Sequence, residues 1–289
     1  MSKAAAKTGV EPAILVAIEQ FYPTNERVLS DSLQYRFLPR GMKLLVDMLH
    51  PKFMLDLMAK AAVKSAPGLW GGLLCRKRYI DEKLEENVGK FTQIVNLGAG
   101  LDTRLYRLPG IENTQAWELD QPENIAVKQQ AVQKALGKPP ENVRLVPIDF
   151  DTQNLDEILQ AVGYSAEKPA FFIWEAVTQY LTEAGIRSTF DFLTKTKNGS
   201  LITFTYARKK FLDGEDIFNW PAGYKRFVKT GIWLFGMEPE DWPGFLAEYG
   251  WKIVEDTDYP TMAEKYIKPT GRVLNANTHV ERMIFAVKY

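Results

Sequence analysis

Residues 93–108 read QIVNLGAGLDTRLYRL, and their reading decides the fold. Gln93-Ile94-Val95-Asn96-Leu97 is a short run of the buried-strand type, broken at Gly98-Ala99-Gly100. The residues that follow, Leu101-Asp102-Thr103-Arg104-Leu105, carry helix character. A strand that ends in a glycine turn and leads into a helix lets a ligand approach bare backbone at the carboxyl edge of a sheet. Only two glycines are present, and the place where a dinucleotide fingerprint wants its third is taken by Thr103. The spacing argues against NAD or FAD and for a nucleoside without a pyrophosphate, S-adenosylmethionine above all.

Outward from this turn the pattern alternates. Strands are expected over residues 93–97, 114–119, 143–148, 170–174 and 201–206, with helices over 122–136, 155–162 and 183–195. Such alternation implies right-handed crossovers and an α/β fold with a mostly parallel sheet covered on both faces. Upstream, segments 12–20, 40–49 and 53–63 space their apolar residues three and four apart, punctuated by Pro51 and Pro67-Gly68. Residues 1–90 therefore read as an N-terminal helical cap, and 91–289 as the domain carrying the sheet. Within the latter, an insertion at about 207–250 holds the aromatic stretch Phe211, Phe218, Trp220, Tyr224, Phe227, Trp233 and Phe235. A helix over 238–249 and strands over 251–257 and 282–288 close the chain.

Composition bounds the partners. Of 289 residues, 46% are hydrophobic and 25% charged, with 36 Lys plus Arg balanced by 36 Asp plus Glu. That is ordinary for a globular chain, and it offers no basic excess to neutralise a nucleic-acid backbone. A small-molecule substrate is expected instead. With a single cysteine, Cys75, and two histidines, His50 and His279, no intramolecular disulfide can form and a structural zinc site is not expected. The apolar run 13–18 is too short to span a membrane, so the expected location is cytoplasmic.

Several side chains fall where such a crevice would place them. Asp120 ends the second strand, twenty-two positions after Gly98, where a carboxylate can accept from both ribose hydroxyls; a cap on the helix from Pro122 is the competing assignment. Asp149-Phe150 follows the third strand and suits an adenine, against a cap at Asp151 and a core Phe150. Glu175 ends the apolar fourth strand and is expected to face the crevice, where it can accept from an amino group. Tyr180 follows it. Arg76 and Arg78 both stand where a bidentate clamp on the ligand's carboxylate could originate, and the residues alone leave both open. Cys75 reads as packed and His50 as a surface or capping residue. The aromatic stretch is expected to be core, with a wall for an apolar substrate as the alternative.

These motifs together resemble the leucine carboxyl methyltransferase family, including its bacterial branch of polyketide-associated carboxyl O-methyltransferases. The match runs through Val95-Asn96-Leu97-Gly98-Ala99-Gly100-Leu101-Asp102-Thr103-Arg104 and Tyr106-Arg107-Leu108. Arg76-Lys77-Arg78-Tyr79-Ile80-Asp81, Glu118-Leu119-Asp120-Gln121-Pro122, and Glu175 with Tyr180-Leu181-Thr182 support it. It covers roughly residues 70–206; the family's arginine motif usually has Thr where this chain has Lys77. The resemblance implies a class I methyltransferase sheet with its last strand antiparallel, and S-adenosylmethionine as cofactor. It implies Arg78 on the cofactor carboxylate, Gly98 against its methionyl part with Ala99 and Gly100 also binding the cofactor, Asp120 on the ribose, Asp149 and Phe150 on the adenine, and Glu175 closing the site.

The expected reaction is methyl transfer to an oxygen. A carboxylate, with a pKa near ~4, is deprotonated at neutral pH and needs no general base, whereas a phenol near ~10 would benefit from one. Scarce histidine thus favours a small carboxylic acid acceptor. The alternatives are a protein C-terminal carboxylate, a small-molecule hydroxyl, or a cofactor-binding scaffold without catalysis. Substrate-facing and catalytic candidates are Tyr180, Tyr206 and Arg208, with Tyr35 and Arg36 from the cap.

Overall fold

Seven strands form one sheet in the computed structural model, which describes residues 10–65, 68–150, 152–272, 274 and 279–289. They are β1 (Gln93–Leu97), β2 (Gln115–Asp120), β3 (Val143–Pro147), β4 (Ala170–Trp174), β5 (Leu201–Ala207), β6 (Trp251–Asp258) and β7 (Glu281–Lys288). Their spatial order is β3-β2-β1-β4-β5-β7-β6. The first five run parallel, and β7 lies antiparallel between β5 and β6. The last strand is thus antiparallel, as expected. Because β1 pairs with β2 on one side and β4 on the other, the order reverses at β1/β4, and a crevice opens at their carboxyl ends.

Helices α1 (Val10–Glu19), α2 (Gln34–Phe37), α3 (Arg40–Met48), α4 (Lys52–Ser65) and α5 (Leu69–Glu86) precede the sheet. Then come α6 (Pro122–Leu136), α7 (Leu155–Ala161), α8 (Glu183–Thr194), α9 (Lys209–Asp213), α10 (Pro221–Gly223), α11 (Trp242–Glu248) and α12 (Tyr259–Tyr266). Strands β1, β4 and β5 are buried along their whole length, as a sheet covered on both faces requires. Alternate residues of β4 serve opposite faces. Phe171 and Ile173 join one cluster with Val16, Leu74 and Ile80 of the N-terminal helices, so those helices share a core with the sheet. Phe172 and Trp174 join the other, with Phe190 of α8 and Trp242 and Leu246 of α11. A third, smaller cluster gathers Phe211, Trp220 and Trp233. No helix among the described residues is long and apolar enough to cross a membrane.

Two expected helices change. After the glycine turn the chain makes only a single 3-10 turn, Arg104–Tyr106. There the Asp102 carboxylate accepts from the Arg104 backbone N–H at 2.9 Å, a local bond that competes with an α-helical start. The helix expected over 238–249 shortens to α11, because Pro243, which lacks a backbone N–H, belongs in its first turn.

Candidate active site

The turn after β1 is tied to the end of β2. Gly98 and Ala99 both donate to the Leu119 carbonyl, at 2.8 and 3.0 Å, and Gly100 N–H donates to Asp120 Oδ2 at 2.7 Å. Gly98 and Gly100 have φ of +77° and +46°. A Cβ at Gly98 would lie 2.3 Å from Val177 Cγ2, so only glycine lets this turn meet the loop after β4; a Cβ at Gly100 would meet nothing within 4 Å. Asp120 Oδ1 also accepts from the backbone of Gln121 at 2.7 Å and from Asn124 Nδ2 at 2.8 Å. The helix-facing contacts and the crevice-facing one are thus made by the same carboxylate.

The loop after β4 is strained. Ala176 has φ of +55°, rare for a residue with a side chain, and is fixed because Thr205 Oγ1 accepts from its N–H at 2.6 Å. This conformation sets Glu175 at the strand tip, facing three cations. Its carboxylate accepts from Arg76 Nε at 3.0 Å and Arg104 Nη2 at 2.9 Å, and Lys77 Nζ lies 3.3 Å away. Burial alone would raise the Glu175 pKa, but Lys77, Arg104 and Arg76 outweigh it and hold the group down at about 2. Burial works the same way on Asp102, and Arg104, its salt-bridge partner, reverses it, so that carboxyl too lies below its ordinary value. Arg104 is fully enclosed and also reaches Asp81 at 3.1 Å. Behind Arg76, Glu281 accepts from Tyr259 Oη and Gln179 Nε2, both at 2.9 Å, and stands 3.4 Å from Arg76 Nη1.

Glycine turn, Asp120 and the Glu175 cluster face one cleft of about 390 Å³, within the range of small-molecule sites. Helix α1 contributes Ala13 and Leu15, α5 contributes Leu69, Leu73, Arg76 and Lys77, and Trp220, Phe227 and Trp233 close the far side.

Of the residues singled out from sequence, Gly98, Ala99, Gly100, Asp120, Glu175 and Tyr180 line this cleft together. Arg78 does not. It lies on another face of α5, partly exposed and 3.8 Å from Glu85, because two positions along a helix turn a side chain through roughly 200°. Arg76 is the one that faces inward. Asp149 and Phe150 are also absent from the cleft wall: the Asp149 backbone donates to Gln153 Oε1 at 2.8 Å, and Phe150 packs against the sheet cluster. Asp151 lies outside the described residues. Tyr206 is buried beside Trp242, donating to Asp256 Oδ2 at 2.8 Å. Arg208 is held by Glu238 at 2.5 Å. Tyr35 donates to Asp47 at 2.7 Å, and Arg36 donates to the Ala135 carbonyl. Cys75 is buried, and burial pushes its thiol up to about 12, which fits a packed residue. From the aromatic stretch, Trp220, Phe227 and Trp233 reach the cleft.

Lys77, Asn96, Asp102, Gln179, Arg226 and Glu281 also line it and were not singled out. Asn96 carried a usable signal, a polar side chain in the middle of a buried strand, and it donates to Asp102 Oδ2 at 3.3 Å. Glu281 and Arg226 carried none, since only tertiary folding brings the far end of the chain to α5.

The leucine carboxyl methyltransferase family model matches residues 9–194. A Mycobacteroides abscessus protein described as an S-adenosyl-L-methionine-dependent methyltransferase is 28% identical over 186 residues, 63% of this chain and 62% of that relative. A Mycolicibacterium gilvum protein of the same description is 31% identical over 155 residues, 53% of this chain and 50% of its own length. The chain thus spans between half and two thirds of these relatives. Among solved structures, a Thermobifida fusca protein described as a methyltransferase superposes with a TM-score of 0.58 at 16% identity, covering 94% of this chain and 97% of its own. A Streptomyces avermitilis protein of the duf574 family gives 0.56 at 12% identity, over 81% and 90%. These likenesses are of fold. With the family model spanning well over half of the chain, the chain belongs to the leucine carboxyl methyltransferase family.

Proposed function

We propose that this protein is an S-adenosylmethionine-dependent O-methyltransferase acting on a small-molecule carboxylate. One observation carries the reading: a glycine turn bonded to Asp120 and a buried Arg76–Lys77–Glu175 cluster face the same cleft. The two ends are chemically unlike, and so are the two ends of the cofactor. The residues present fit that cofactor. Gly100 presents open backbone, as a close-lying ligand needs, and Asp120 Oδ2, which among the described residues accepts only from Gly100, keeps a lone pair for a ribose hydroxyl. Arg76 and Lys77 would hold the methionyl carboxylate and Glu175 the ammonium. The relatives' descriptions name the same cofactor for those proteins.

When bound, S-adenosylmethionine supplies a methyl on sulfonium: the acceptor oxygen forms the new O–C bond, the S–C bond breaks, and its electron pair stays on sulfur. The protein's own share is orientation and exclusion of water, worth up to ~7–11 kcal/mol when reacting atoms are well aligned. Proton transfer is poorly served here. Neither His50 nor His279 lines the cleft, and Glu175, at about 2, is a weak base. A phenol near ~10 would need a better one; a carboxylate near ~4 needs none. Methyl transfer from labelled S-adenosylmethionine to a panel of matched acids and phenols tests this. Base-labile methyl esters are expected, and label only on phenolic oxygen, or none on either, would overturn the assignment.

A further inference from the structure

The far wall of the cleft is built from rings that belong to neither sheet-face core. Tyr180, Trp220, Phe227 and Trp233 line it, and they pack in the separate third cluster. Phe227 stacks on Trp233 with centroids 5.0 Å apart and planes 17° from parallel, while Trp220 and Tyr180 meet Trp233 edge-on at 6.2 and 6.4 Å. The backbone is bent to present them. Phe218 and Asn219, consecutive non-glycine residues, have φ of +47° and +55° immediately before Trp220. Such conformations cost free energy and persist only where surrounding structure holds them. A Cβ at Gly223 would fall 2.1 Å from the Trp220 ring, so that glycine lies directly against the indole. Next comes a π-helical turn, Tyr224–Val228, a rare form frequent at functional sites, and it carries both Arg226 and Phe227 into the cleft wall.

Besides packing on one another, these rings line open space that Leu69, Leu73 and Arg76 of α5 also line.

We propose that the methyl acceptor is a flat aromatic carboxylic acid. Its ring system lies in the cleft against Trp220, Phe227, Trp233 and Tyr180, and Arg226 draws in and retains its anionic charge. This rests on the methyl-transfer reading above and adds the substrate class. Ring faces favour other rings in edge-on or offset contact beyond the area they bury, which an alkyl chain of equal area does not gain. A cation at the rim of an apolar cleft raises the local concentration of an anion.

The test is calorimetry on the full-length protein saturated with S-adenosylhomocysteine, titrated with 2-naphthoate, octanoate and 2-methylnaphthalene. The expected result is 2-naphthoate binding about tenfold or more tighter than octanoate. Arg226→Gln is expected to weaken 2-naphthoate about fivefold or more and leave 2-methylnaphthalene unchanged. Phe227→Leu, which keeps an apolar side chain, is expected to weaken 2-naphthoate more than octanoate. Octanoate binding as tightly as 2-naphthoate, no binding of 2-naphthoate, or indifference of 2-naphthoate to Arg226→Gln would each overturn the proposal. The two readings separate in the first titration: failure of S-adenosylhomocysteine to bind defeats the methyltransferase reading, whereas its binding without a preference for rings defeats only this one.

Discussion

Replacing Glu175 with Gln removes one negative charge that faces three cations, Arg76, Lys77 and Arg104, at 3.0, 3.3 and 2.9 Å. All four side chains are almost wholly enclosed, so water cannot take over the lost role. Removing one partner of a buried ion pair costs about 3–5 kcal/mol, because the charge left behind is uncompensated. The depressed folded pKa points the same way. The folded carboxyl sits at about 2 against an ordinary 4.5, a difference worth about 3 kcal/mol. The sign follows from the depressed folded value. This stability is fully present above the unfolded pKa and is lost as pH falls from about 4.5 through about 2. Urea denaturation of wild type and Glu175→Gln at pH 7 should therefore differ by about 3 kcal/mol, with Tm lower by roughly 6–12 °C. The gap should shrink at pH 3. A variant within about 0.5 kcal/mol of wild type at pH 7, or a gap unchanged between pH 7 and pH 3, would refute the electrostatic account.

Other perturbations probe the rest of the cleft. Gly98→Ala places a Cβ at φ +77° and 2.3 Å from Val177 Cγ2, and should cost about 1–3 kcal/mol in urea denaturation, part of it recovered by Val177→Ala. Asp120→Asn keeps an acceptor for Gly100 N–H but loses the charge, and should weaken S-adenosylhomocysteine at least about tenfold in calorimetry. Arg78→Ala should leave that affinity within about twofold while Arg76→Gln lowers it about tenfold or more; equal effects would contradict the inward placing of Arg76.

The sheet was legible in the chain because buried strands must be apolar and must end somewhere. β4 runs from Ala170 to Trp174 as the pattern of apolar residues requires, and Gly98 and Gly100 mark the crevice because positive φ selects glycine. Asp120 and Glu175 were legible for the same reason, as carboxylates at the tips of such strands. Which arginine of Arg76 and Arg78 faces the crevice was not. Their helix is buried on several sides, so its periodicity points nowhere until the sheet is in place. Tyr206 and Arg208 looked available because their partners, Asp256 and Glu238, are 50 and 30 positions away in the chain. Asp102 and Arg104 lay inside the quoted motif, yet the salt bridges that Arg104 makes to Asp102 and to Glu175 are a property of folding, not of spacing.

The proposed function requires the cleft at the carboxyl ends of β1 and β4 to hold the sulfonium nucleoside. Isothermal titration of the purified protein with S-adenosylhomocysteine, with NADH as the control, measures it directly. One-to-one binding at micromolar concentrations, abolished or severely weakened by Asp120→Asn and absent for NADH, is the predicted result. No heat and no thermal shift at millimolar S-adenosylhomocysteine, or saturable binding of NADH in its place, would contradict it.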